Sequence, residues 1–117
     1  MKKELTIDGR TLALSANAAT PVRYKMTFNS DLLTELSGVS KDSPDFQDVI
    51  TQMAYIMNKQ AEGDIASLSF DNYLLWLETF DDPMTFVNVA QEITNFYLQN
   101  MKTGSKSKNP KGPRTAK

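Results

Sequence analysis

Cysteine and histidine are both missing from this chain. Without cysteine there is no disulfide scaffold, no thiolate metal site and no cysteine nucleophile. Without histidine the commonest general base and the commonest transition-metal ligand are gone. Ser-His-Asp and Cys-His catalysis are therefore excluded outright. Long apolar runs are absent too, so no segment reads as a bilayer span. Met1-Lys2-Lys3 leads into polar residues, and no signal peptide is expected. The five glycines stand apart from one another, at turns, helix ends or in the tail, so no phosphate-cradling loop is present.

What remains is a chain of 117 residues, 40% hydrophobic, which reads as one folded domain with a modest core. The formal charge of -1 hides a division. Residues 102–117 carry six basic side chains and no acid, whereas residues 1–101 carry seven basic and fourteen acidic ones. An acidic body thus ends in a basic tail. That tail, from Lys102 on, has no large apolar side chain to offset the cost of ordering, and it is expected to be disordered. It lacks interleaved aromatics, so specific nucleic-acid recognition is not expected, and neither is a membrane contact.

Leu5–Ile7 and Thr11–Leu14 flank Asp8-Gly9, which predicts a β-hairpin closed by a type I′ turn. Leu5 and Ile7 share one face, and Leu12 and Leu14 provide its match. Thr20-Pro21 predicts a helix with Thr20 as N-cap, and Val22, Tyr24, Met26 and Phe28 compete for its buried side. Asn29 stops that helix in the left-handed conformation. Ser30 then caps a second helix, with Leu32, Leu33 and Leu36 apolar and Gly38 at its end. A helix over 44–62 follows Ser43-Pro44, with Phe46, Val49, Ile50, Met53 and Met57 at helical spacing and Gly63 as stop. Ser69 caps a segment bearing Phe70, Tyr73, Leu74, Trp76, Leu77 and Phe80, apolar over much of its circumference and expected to be largely buried. After Asp81-Asp82-Pro83 a last amphipathic helix is predicted over 83–101. The fold class is α+β and mostly α-helical. An N-terminal β-hairpin packs on a bundle of four to five helices over residues 1–101, and a flexible basic tail spans 102–117.

Few residues point to chemistry. Asp42, Asp45 and Asp48 recur every three residues, but at a helix start, where the macrodipole favours acids. They lack the glycine and terminal glutamate of a calcium loop. No catalytic, metal-binding or cofactor-binding residue is assigned. Six methionines offer two readings, core gap-filling or an adaptable surface for a partner. Arg23 and Tyr24 likewise read as an internal brace or as a partner contact.

Taken in order, these stretches resemble a family, the tail assembly chaperones of long-tailed phages and prophages of Gram-positive bacteria. The likeness covers about residues 4–110. It rests on the "IDGR" turn (Ile7 to Arg10), on "ATPVRYKMTFNSDLL" (Ala19 to Leu33), on "MAYIMNKQA" (Met53 to Ala61), on "NYLLWLETF" (Asn72 to Phe80) and on the Lys-rich end. Asn29 stands where the family often has glycine, and it suits the same left-handed cap. The resemblance implies a non-enzymatic protein of virion morphogenesis in the host bacterial cytoplasm. It would bind the tape measure protein, keep its helices soluble and promote tail tube assembly. It further implies contact with the tail tube protein, self-association, and a longer form made by ribosomal frameshift, for which Lys108-Asn109 fits an A-rich codon run. Arg23, Tyr24, Met53, Met57, Trp76, Phe86 and Tyr97 are the partner-binding candidates. The competing expectation is a structural tail or head-tail component retained in the virion.

Overall fold

The computed structural model describes residues 1–38, 46–82 and 84–106. Seven elements follow one another: β1 (Lys2–Ile7), β2 (Arg10–Ser15), α1 (Thr20–Phe28), α2 (Leu32–Gly38), α3 (Phe46–Glu62), α4 (Phe70–Leu77) and α5 (Thr85–Lys106). The architecture is an N-terminal antiparallel hairpin on a helical body, α+β and mostly helical.

The hairpin forms as its turn chemistry dictates. Asp8 and Gly9 both take positive φ, 54° and 77°, as a type I′ turn requires. Ile7 then faces Arg10 and Leu5 faces Leu12. Alternation puts Leu5, Ile7, Leu12 and Leu14 on one face, and all four are buried. Two side chains next to the turn fasten it to the junction between α4 and α5. The Arg10 guanidinium lies 3.8 Å from the centre of the Phe80 ring and donates to Thr79 Oγ1 at 2.8 Å. Asp8 Oδ2 accepts from the Asp81 N–H.

The axis of the fold is α3, which packs against β2, α1, α2, α4 and α5. Its residues from Val49 to Asn58 are buried except Gln52, so the helix is enclosed on all sides rather than along one stripe. Gly63 ends it with φ of 74°. Along one flank, rings pass the contact from element to element: Tyr24 to Phe28, Phe28 to Tyr73, Tyr73 to Tyr55, Tyr55 to Trp76, Trp76 to Phe80 and Phe80 to Phe86. Centroid spacings of 5.0–5.5 Å and tilted or edge-on planes suit the ring quadrupoles.

Several local expectations are corrected. Thr20 is not the cap of α1. It lies within the helix, and its hydroxyl accepts from the Asn17 N–H while Asn17 Oδ1 accepts from the Ala19 N–H. Asn17 and Thr20 thus brace the approach to the helix. Ser30 does not cap α2; Asp31 does, accepting from the Leu33 N–H and from the Thr34 hydroxyl. Val22 and Met26 lose the competition for the buried side of α1 and stand 57% and 81% exposed. Asn29 stops α1 at φ 57°, ψ 40°, its N–H returning to the Lys25 carbonyl. α5 runs on through Lys106, five residues past its expected end at Met101. Residues 42, 45 and 83 and the chain after 106 lie outside the described residues.

Candidate functional site

The buried and half-buried polar side chains of α3 decide how the body is tied together. Asn58, 2% exposed, donates through Nδ2 to the Ala13 carbonyl at 2.9 Å and accepts the Trp76 indole N–H through Oδ1 at 3.0 Å. One amide therefore joins β2, α3 and α4. Gln60 donates to the Ser15 carbonyl and to Thr20 Oγ1, and its Oε1 accepts from Arg23 Nη1. Gln52 Oε1 accepts from the Tyr24 hydroxyl at 2.7 Å. The Thr51 and Tyr73 hydroxyls share a bond of 2.7 Å in buried surroundings.

These anchors engage three of the seven predicted contact residues, Arg23, Tyr24 and Trp76. Tyr24 is fully buried and Arg23 half-buried, and both turn inward to α3. Met53 and Met57 are fully enclosed, so they fill the core rather than offer a soft surface. Trp76, Phe86 and Tyr97 are 7%, 4% and 2% exposed. None of the seven is an exposed apolar contact. Met84 does reach solvent, at the start of α5.

The exposed apolar surface lies elsewhere. α4 was expected to be largely buried, but only Tyr73 and Trp76 are. An eight-residue helix packed along one narrow seam turns Phe70, Leu74 and Leu75 outward, 51%, 42% and 59% exposed. A segment such as "FDNYLLWL", apolar at six of its eight positions, carries no clear period that separates inside from outside. Ser69 caps this helix as expected, accepting the Asn72 N–H. A groove flanks α4 on either side. One, of about 440 Å³, has Tyr73, Leu77, Phe80 and Phe86 along it and Asp48 and Asp82 among its polar residues. The other, of about 460 Å³, runs past Tyr55, Leu75 and Trp76, with Lys59 and Asp64 on its wall. Lys59 pairs with Glu62 at 3.3 Å and Asp64 at 3.7 Å.

The electrostatics are those of a packed body. Burial pushes the phenols of Tyr24, Tyr55, Tyr73 and Tyr97 above their ordinary range, Tyr24 furthest. Among the described residues, no group of three acids is placed to hold a metal ion. No described helix is long and apolar enough to cross a membrane. The arrangement that the grooves and α4 present is suited to contact by shape and apolar area. No family model, curated protein or solved structure matches the chain.

Proposed function

We propose that this chain is a tail assembly chaperone, a non-enzymatic protein that binds the tape measure protein, keeps it soluble and promotes tail tube assembly in the host cytoplasm. The observation that carries the reading is the outward face of α4. Phe70, Leu74 and Leu75 form an apolar ridge between two grooves, on a helix already held from behind. A long amphipathic helix, of the kind a tape measure protein contributes, buries its own apolar stripe against such a ridge. The acidic balance of residues 1–101 keeps the exposed ridge from driving aggregation. The resemblance of the four quoted stretches supports the same reading.

Co-expression with the tape measure protein tests it. The partner is expected to move into the soluble fraction, and Leu74→Glu with Leu75→Glu is expected to return it to the pellet. Both side chains are exposed, so the double variant is expected to keep its fold, which far-UV circular dichroism checks. A partner no more soluble with this protein than without it would show the reading to be wrong. Mass spectrometry of purified particles separates it from a retained structural component. Stoichiometric presence in the virion would overturn the chaperone.

A further inference from the structure

The hairpin has two outer edges, and they are not equivalent. In a hairpin closed by a two-residue turn, opposed pairs alternate between those that exchange backbone hydrogen bonds and those that do not. Here Ile7 and Arg10 flank the turn, and the Ala16 N–H still donates to the Met1 carbonyl at the far end. The odd residues of β1 therefore bond inward to β2. Lys2, Glu4 and Thr6 direct their N–H and C=O groups outward. On β2 the outward set is Thr11, Ala13 and Ser15. The Ala13 and Ser15 carbonyls are taken by the Asn58 and Gln60 amides. Among the described residues, no partner meets the outward groups of Lys2, Glu4 and Thr6, and all three side chains are exposed.

We propose that a second copy of this chain adds to the open edge of β1. The product is a four-stranded antiparallel sheet in the order β2-β1-β1-β2, with a two-fold axis through its centre. This inference does not depend on the chaperone reading. An isologous pairing must set outward residues of one copy against outward residues of the other, which leaves few registers. Centred on Lys3, the pairing sets Lys3 against itself, although Lys2 then faces Glu4 of the second copy. Centred on Glu4, it sets Glu4 against itself. Like charges directly opposite one another destabilise a sheet. Centred on Leu5, it sets Glu4 against Thr6 of the second copy, Lys2 across from Asp8, and Leu5 against Leu5 on the core face. Each Glu4–Thr6 pair then exchanges two backbone hydrogen bonds. Each of the first two registers thus holds one like-charged pair at its centre, whereas the third holds none and sets Lys2 across from Asp8. Lysines at an edge also deter indiscriminate strand addition, which leaves this self-complementary match as the selective one. A two-stranded sheet gains support from the added strands.

Sedimentation velocity on the full chain, from low micromolar to millimolar, tests the proposal. A reversible monomer–dimer equilibrium is expected. Thr6→Lys places a cation opposite Glu4 twice per dimer and is expected to tighten it about 2- to 30-fold. Thr6→Glu is expected to weaken it by a similar factor. Glu4→Pro removes an outward N–H that β2 does not use, and is expected to leave a folded monomer. Because Thr6 is exposed and outside the core, its two variants keep the test valid even where the proline variant fails to fold. A wild-type chain that stays monomeric throughout overturns the proposal. So does a Thr6→Lys dimer no tighter than wild type, or a folded Glu4→Pro chain that associates as before.

Discussion

β1 and β2 are equal in length and alike in pattern, yet the molecule treats their outer edges differently. Along β2, side-chain amides from α3 stand where a third strand would otherwise supply donors. Along β1 nothing among the described residues does so. A sheet edge can thus be closed without a strand, by two amides two positions apart on an enclosed helix. The contrast separates a hairpin that is fastened on one side from one that is available on the other.

The largest break in that contrast is Asn58→Leu. It strands the Ala13 carbonyl and the Trp76 indole N–H in buried surroundings, and urea unfolding is expected to show a loss of about 2–5 kcal/mol. Alkaline pH is expected to act next, through the rings held by the same helix. Each of the four tyrosines has its phenol pushed up by burial from an ordinary value near 10. Above that value the unfolded chain loses phenolic protons that the folded chain keeps, so the unfolded state binds fewer protons and stability falls as pH rises. The contribution is fully present below pH 10 and is lost as pH climbs through the raised values, which denaturant midpoints measured along a pH series would record. Gln60→Ala is expected to cost about 1–2 kcal/mol by the same urea measurement, because its site is only partly buried. Glu4→Ala, on the open edge, is expected to change monomer stability by less than about 0.5 kcal/mol. Hydrogen exchange sharpens the comparison without any substitution. In the monomer, the Glu4 and Thr6 amides are expected to exchange fast, alternating with slow Leu5 and Ile7.

Local chemistry was legible in the sequence wherever one or two residues decide the backbone. Asp8-Gly9, Asn29 and Gly63 all take the left-handed conformations expected of them. The order of hairpin and helices was equally plain from periodicity. The caps of α1 and α2 shifted by a residue, because Thr20 turns its hydroxyl back to the Asn17 N–H and Asp31 takes the Leu33 N–H in place of Ser30. The site was less legible. Whether Met53 or Leu75 faces solvent depends on how many neighbours surround each helix, and α3 is enclosed whereas α4 is held along one seam. Asn58 and Gln60 carried no local signal at all. Their partners lie 45 residues away, so only the packed chain reveals that they finish the edge of β2. Arg10 belongs with them: its ring and hydroxyl partners lie across the molecule.

The fastening of the turn bears on how the protein is made. Synthesis delivers the hairpin before the helices, so its supports arrive late. The Asn58 and Gln60 amides come forty-five residues after the carbonyls they meet. The Phe80 ring and the Asp81 N–H come later still. While the chain is being extended from the ribosome, the first strands have no apolar floor and no partner for either edge. A two-stranded ribbon in that condition is marginal. The N-terminal segment therefore waits in an unsettled state until the α4–α5 junction has emerged, and it acquires its structure together with the helices rather than ahead of them.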